Sequence, residues 1–168
     1  MYEPEKTQGK NVSAVRNQDF VSFAAKCGRG VLFNDPRVPR QLLKLDDSIV
    51  NIGDAILNLL QQSSVLSNDE LQEILKSGEV QKAGDIWERS VCKQFSYKTK
   101  RALYGEMLSC NIKELDGMLI ISPTNHHKLG SWIGMKDVEN VLISATSSSE
   151  EVGLALYEAF SRCKTEVG

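Results

Sequence analysis

The 168-residue chain contains no apolar run that approaches the roughly 20 residues needed for a membrane-spanning helix. Its first ten residues, MYEPEKTQGK, are polar and charged, unlike the apolar core of a secretory signal peptide. Apolar residues make up 41% of the chain and charged residues 25%, which is typical of a soluble globular protein. We therefore expect a cytoplasmic protein with no membrane partner.

Cysteine is sparse and the four cysteines are far apart. Cys27, Cys92, Cys110 and Cys163 form no CxxC pair, whereas zinc sites usually draw on closely spaced ligands. In a reducing compartment such cysteines are mostly buried as small apolar side chains. We expect that role here, and a disulfide or a zinc site is the less favoured alternative.

The common catalytic signatures are missing as well. The chain has no P-loop, no GxGxxG and no HExxH, and GSWIG at 130–134 places its serine second, so it does not match GxSxG. His126 and His127 are the only histidines, so Ser-His or Cys-His catalysis would have to use one of them. We predict no enzyme, no catalytic residue, no metal and no cofactor.

The two histidines lie in the stretch LIISPTNHHKLGSWIG, residues 119–134. Adjacent side chains do not share a face of a strand, so both histidines rarely bind one metal without a third ligand. We interpret Asn125, His126, His127, Lys128 and Trp132 as part of a connection that follows a strand ending at Pro123. Such connections often bind partners. A hydrolase using either histidine as base is the alternative.

The segment Lys93–Tyr104 interleaves basic and aromatic residues, a combination that can bind RNA through phosphate contacts and base stacking. At a net charge of −2 we favour a solvated helix end whose aromatic side chains pack inward, and we expect no direct nucleic-acid contact. A small RNA-binding or RNA-processing protein that uses this segment is the alternative function.

Acidic residues gather at or near the starts of two predicted helices. Capping and the helix dipole explain most of them. They could also steer a basic partner, such as a nuclease, toward this surface. The candidates are Asp46, Asp47, Asp69 and Glu70.

The hydrophobic periodicity indicates an α+β fold. Helical patterns begin near Asp46, at Ser67 with a capping box to Glu70, and near Glu79, and an amphipathic helix lies at the C-terminus. Asp116-Gly117 predicts the turn of a β-hairpin. We expect one domain over 18–168, with an antiparallel-rich sheet, several helices and no internal repeat, preceded by a flexible or loosely attached leader over 1–17.

Three blocks of the second half carry a family resemblance: KTKRALYGEMLSCNI, GMLIISPTNHHKLGSWIG and VLISATSSSEEVGLALYEAFSRC. Their order and spacing, over roughly Lys98 to Cys163, resemble immunity proteins of bacterial contact-dependent growth inhibition (CDI) systems. The resemblance implies an intracellular protein that binds the C-terminal toxin domain of a large secreted effector. Toxins of these systems are frequently nucleases. An inhibitor of this kind would block the toxin's active site or substrate groove, and the toxin's identity and the oligomeric state are left open.

Overall fold

A computed structural model describes residues 3–168 of the chain. The helices are α1 (Pro4–Thr7), α2 (Ile49–Leu60), α3 (Asn68–Ser77), α4 (Glu79–Phe95), α5 (Lys100–Tyr104) and α6 (Ser149–Ser161). The strands are β1 (Lys10–Arg16), β2 (Phe20–Arg29), β3 (Val31–Asn34), β4 (Gln41–Lys44), β5 (Ser64–Val65), β6 (Leu108–Leu115), β7 (Met118–Lys128), β8 (Ser131–Gly134), β9 (Val141–Ser144) and β10 (Lys164–Thr165). The predicted α+β class is confirmed. No helix within residues 3–168 has the length and apolar character needed to cross a membrane.

The strands form one sheet in the order β10-β7-β6-β1-β2-β3. β2 and β7 are the two long strands, and each pairs with several short ones. β4 and β5 also pair with β2, whereas β8 and β9 also pair with β7. The pairing is antiparallel except for β2–β5 and β7–β10. The hairpin predicted at Asp116-Gly117 joins β6 to β7.

The main core lies between one face of this sheet and the helices α2 and α6. Side chains alternate along a strand, so every second residue of the central strands faces these helices. Among them are Val12, Ala14, Val21 and Phe23, which are fully buried with Ile56 and Leu156. This packing leaves the other face of the sheet to α4 and α5, and that face carries Phe20 and Val15.

The fold contains an internal repeat, so our expectation of none was wrong. The unit β2-β3-β4-α2-β5 recurs as β7-β8-β9-α6-β10, with Gly53 and Gly153 at equivalent positions. β1 and β6 pair antiparallel at the centre, where Val12 faces Ile112. The two copies share a pattern of burial more than amino-acid identities, which explains why inspection of the sequence missed the duplication. Helices α3–α5 lie in the connection between the copies.

The two glycines sit where α2 and α6 touch. A Cβ atom on Gly53 would overlap the carbonyl oxygen of Ser149, and one on Gly153 would overlap that of Ile49. The obstacles are backbone atoms, which cannot swing aside as a side chain can. Glycine is therefore required at both positions for the helices to approach this closely.

The start of the chain differs from the expected leader over 1–17. Residues 10–16 form β1, which pairs with β2 and β6 in the middle of the sheet. The sequence KNVSAVR of β1 mixes polar and apolar residues on both faces of the strand, so it has no clean two-residue period. Residues 1 and 2 of the expected leader lie outside the described residues.

The strand predicted to end at Pro123 continues through it, so the connection expected at Asn125–Lys128 is part of β7. β6 and β9 pair with the first half of β7, and β8 and β10 pair with its second half. Pro123 lies at this change of partners, where its missing N–H costs little.

The helix ends predicted from capping residues and glycine agree with the structure. Ser67 and Glu70 form the predicted capping box of α3, and Gly78 ends that helix at a φ of +74°. α4 begins at Glu79, as predicted. Cys27 and Cys110 are buried as expected, and Cys92 and Cys163 are partly buried.

Candidate functional site: the cleft between helix α4 and the sheet

A cleft of about 540 Å³ lies between α4 and the face of the sheet that α2 and α6 leave uncovered. Its floor comes from β1 and β2, its wall from α4, and its ends from α5 and the β7–β8 turn. The lining includes Ser13, Val15, Ser22, Ala24, Asn34, Arg40, Gln81, Gly84, Asp85, Trp87, Glu88, Lys100, Tyr104, Met107, Leu129, Gly130 and Trp132. A concavity that mixes aromatic, small polar and charged groups is typical of a binding site.

The floor is polar because of strand alternation. Ser13 lies between Val12 and Ala14 of β1, and Ser22 lies between Val21 and Phe23 of β2, so the serines take the face opposite the main core. The Ser13 hydroxyl donates a hydrogen bond to Asn34 Oδ1 at 2.9 Å. Small side chains at these positions leave room above the sheet.

Arg40 is the prominent cation of the cleft. Its guanidinium carbon lies 5.0 Å from the centre of the Trp87 ring. Within residues 3–168 it makes no ion pair and no hydrogen bond that meets ordinary distance limits. Partial burial lowers its pKa, although arginine stays charged at neutral pH. Among residues 3–168, this partly desolvated charge therefore has no counter-ion in the free chain.

Gly84 faces Arg40 from the middle of α4. A Cβ atom there would meet only Arg40 Nη2, at 4.0 Å, so the position opens into the cleft. Glycine inside a helix costs roughly 1 kcal/mol relative to alanine. The absence of a side chain keeps the space above Arg40 open.

Trp132 and Tyr104 close one end of the cleft. The Trp132 indole N–H donates to the Met107 carbonyl at 2.9 Å, and its ring meets Tyr104 edge to face, with the ring centres 6.0 Å apart. Burial, followed by the nearby negative charge of Glu88, raises the pKa of Tyr104. Both rings therefore have fixed positions before any partner arrives.

His126 supports Trp132 from behind. It is 1% exposed, so its ring is buried in the free chain. Its ring stacks on Trp132 with centres 4.5 Å apart and planes 14° apart, and Nε2 lies 2.8 Å from the Leu129 carbonyl oxygen. Nε2 is then the protonated nitrogen, and Nδ1 has no partner within the described chain.

His127 points the other way, as alternation requires. Its Nδ1 lies 2.6 Å from Glu166 Oε2, and Asn125 Nδ2 donates to the other Glu166 oxygen at 3.2 Å. The hydrogen bonds from His127 and Asn125 lower the pKa of Glu166. Lys128 is exposed beyond them. The histidines therefore do not meet at one centre, and neither hydrogen-bonds a serine or cysteine of the described chain.

The predicted acidic residues lie away from the cleft, and two of them, Asp47 and Glu70, make hydrogen bonds at the starts of helices. Asp47 Oδ1 accepts hydrogen bonds from the Ser48 backbone and from Asn51 Nδ2, and Glu70 completes the α3 capping box. Asp46 and Asp69 are exposed. Within residues 3–168 no group of three or more His, Cys, Asp or Glu is placed to hold a metal ion.

Phe95 and Tyr97 of the segment Lys93–Tyr104 are packed rather than offered to a ligand, whereas Tyr104 lines the cleft. Phe95 stacks between Phe20 and Tyr97, with ring centres 5.1 Å and 5.8 Å away. The Tyr97 hydroxyl donates to Asp19. The inward packing that we favoured is confirmed, and these rings are not free to stack on bases.

Of the residues predicted to contact a protein partner, Trp132 alone lines the cleft, where it is joined by Lys100 and Tyr104 of the basic and aromatic segment. Arg40, Trp87 and Gly84 were missed. Arg40 follows two prolines in a connection with no period, so nothing local marked it. A glycine in the middle of a strong helical pattern was the one available signal, because such a glycine needs a reason.

An ion pair between the buried Asp35 and the half-exposed Arg37 holds the connection that carries Arg40. Asp35 donates its backbone N–H to the Ala25 carbonyl, and its carboxylate accepts two hydrogen bonds from the Arg37 guanidinium, at 2.9 and 3.0 Å. Burial of Asp35 opposes ionisation, but the hydrogen bonds and charge of Arg37 outweigh it and lower the pKa of Asp35.

Asp35→Asn should destabilise the chain by about 2 kcal/mol at pH 7, because a buried charged hydrogen-bonding group is lost. A lowered folded-state pKa means that the contribution of Asp35 is full above its unfolded value, about 3.9, and is lost as the pH falls through the folded value. Urea unfolding between pH 7 and about pH 2 covers this range and tests the prediction, with exposed Asp46→Asn as the control. Equal stability of Asp35→Asn and wild type at pH 7 would contradict it.

The comparisons with known proteins agree on one family. The family model described as CDI immunity protein matches residues 10–163. The immunity protein CdiI-YPIII of Yersinia pseudotuberculosis serotype O:3 is 31% identical over 166 residues, covering 90% of this chain and 94% of that protein. The chain belongs to the CDI immunity protein family.

Two solved structures share the fold. A protein of unknown function from Neisseria meningitidis has a TM-score of 0.87 at 29% identity, with 98% of this chain and 99% of that chain covered. A CdiA-CT/CdiI toxin and immunity complex from Yersinia pseudotuberculosis has a TM-score of 0.82 at 29% identity, with coverage of 92% and 97%.

Proposed function

We propose that this protein binds the C-terminal toxin domain of its cognate CDI effector in the cytoplasm and neutralises it without catalysis. The toxin is a nuclease, and the bound immunity protein blocks its active site or substrate groove. The α4–sheet cleft is the centre of the contact. The observation that carries this proposal is an open, preformed cleft with an unpaired arginine, in a chain that resembles the immunity protein of a toxin complex.

The cleft suits a protein segment better than a small substrate. Its lining mixes both charge signs with hydroxyls and aromatic faces, and neither histidine lies among the lining residues. Tight inhibition needs an interface of about 1,600 Å² in total, so the cleft supplies the anchoring centre and the surrounding surface supplies the remainder.

The sequence-predicted residues take different parts in this proposal. Trp132 is a wall of the cleft and contacts the toxin, whereas His126 acts by holding Trp132. Asn125, His127 and Lys128 lie on the neighbouring edge. The carboxylates Asp46, Asp47, Asp69 and Glu70 act at a distance by steering a basic toxin, which raises the association rate more than the affinity.

The test uses the C-terminal domain of the cognate CDI effector. The purified domain is assayed on RNA and on DNA while the immunity protein is titrated. Inhibition should be complete at one immunity protein per toxin, and the two should co-elute on a sizing column. Full toxin activity in the presence of excess immunity protein would refute the proposal. A toxin that is bound yet cleaves neither polymer would refute the nuclease assignment alone.

A further inference from the structure

We infer that Arg40 is the specificity-determining residue of the cleft and recognises a carboxylate side chain, Asp or Glu, of the bound toxin. This inference rests on the proposed function and adds the chemistry of the group that the cleft selects. It stands on the position of Arg40 beside Trp87, on the space that Gly84 leaves, and on the missing counter-ion.

The position of Arg40 suits recognition. The Trp87 ring, 5.0 Å from the guanidinium carbon, covers one side of the group and limits its motion. Arginine presents N–H donors along the edges of its plane, in a fork that matches a carboxylate. Because the side chain is already held, little conformational entropy is lost when the partner binds.

The space over Arg40 is open from the helix side. Gly84 leaves Nη2 without a covering side chain, so an incoming residue can reach the guanidinium between α4 and the sheet. In the free chain, within residues 3–168, no carboxylate comes within 4 Å of this group, although Asp85 and Glu88 line the same cleft. A ligand carboxylate would therefore meet an uncompensated charge.

The surrounding charges favour a single carboxylate over a phosphate chain. Asp85 and Glu88 on α4 would repel the closely spaced charges of a nucleic-acid backbone. A polypeptide can place one carboxylate on Arg40 and neutral or basic groups against the helix. A toxin lacking that carboxylate would leave Arg40 buried and unpaired, which penalises the wrong partner.

The experiment measures affinity of the full chain for the cognate toxin domain, carrying an inactivating substitution, by titration calorimetry. We expect Arg40→Gln to weaken binding at least about tenfold, and Arg40→Lys to weaken it less because charge remains without the planar fork. Arg89→Gln, an exposed arginine on α4, is the matched control and should bind as wild type does. Arg40→Met keeps a long unbranched side chain beside Trp87 but removes the guanidinium, so it should match Arg40→Gln.

A double-mutant cycle then identifies the partner group. Each Asp and Glu of the toxin is replaced in turn by its amide. One of these replacements should weaken binding to the wild-type protein but weaken binding to the Arg40→Gln variant little further. Unchanged affinity of a folded Arg40→Gln or Arg40→Met variant overturns the inference while the proposed function stands. The inference is also overturned, and the proposed function stands, if the loss of affinity from each toxin carboxylate replacement simply adds to the loss from Arg40→Gln. Absence of binding by wild type overturns both.

Discussion

Gly84→Phe should weaken toxin binding by about 100-fold or more and leave the protein folded. The phenyl ring would occupy the space above Arg40 that the glycine leaves free. A side chain that blocks docking at the centre of an interface prevents the main anchor residues from making their contacts. The loss of affinity is then as large as if those anchor residues had been removed. Calorimetry against the inactivated toxin domain measures the effect, and growth protection in cells that express active toxin should fall in parallel.

Two variants separate a filled cleft from a damaged helix. Gly84→Ala should raise the free energy of unfolding by about 0.5–1 kcal/mol, from helix propensity, and leave toxin affinity unchanged. Ile86→Phe places the same ring on the outer side of α4, where Ile86 is 55% exposed, and should bind normally. Normal toxin binding by Gly84→Phe would show that the toxin does not occupy the cleft.

Gly53→Ala should destabilise the protein by about 3 kcal/mol or more, in contrast to the stabilisation expected from Gly84→Ala. The added methyl group meets the Ser149 carbonyl oxygen, so α2 and α6 must separate and the core between the two copies loosens. Overpacking against side chains costs about 1–3 kcal/mol of stability. We expect a value at the upper end for Gly53→Ala, because the obstacle is backbone, which moves less easily than a side chain. For a chain of this length, that corresponds to a fall in Tm of about 10 °C.

Gly153→Ala is the symmetry-related test. Its methyl group would meet the Ile49 carbonyl oxygen, so we expect a loss of similar size. Thermal melts should therefore show a lower Tm for Gly53→Ala and Gly153→Ala and a higher Tm for Gly84→Ala, although the chemical change is the same in all three variants. Wild-type stability of both Gly53→Ala and Gly153→Ala would show that the helices are not in backbone contact.

Signals that act over one or two turns were readable from the sequence. The Ser67–Glu70 capping box, the apolar stripe of α2 and the Asp116-Gly117 turn depend on residues close together in the chain, and each was found in the structure. β1 was missed because a short central strand that carries polar residues on both faces resembles a loop until its neighbours are known. The end of β7 was predicted wrongly at Pro123 for the same reason. Whether a strand can contain a proline depends on which strands pair beside it.

The site was predicted less well than the fold because its parts come from distant segments. Arg40 precedes β4, Trp87 lies on α4 and Trp132 lies on β8, and only the folded chain brings them to one cleft. The histidine doublet drew attention through its rarity, yet one ring supports Trp132 and the other pairs with Glu166. Rare residues in a chain mark chemistry only when their neighbours in space can take part.

Hydrogen exchange of the complex tests most directly whether the toxin occupies the α4–sheet cleft. Backbone amides of the free protein and of its complex with the inactivated toxin domain are compared at equal coverage. We expect new protection in α4 and at the β7–β8 turn, with little change in α6. Protection confined to α2 and α6, with α4 exchanging as in the free chain, would contradict it.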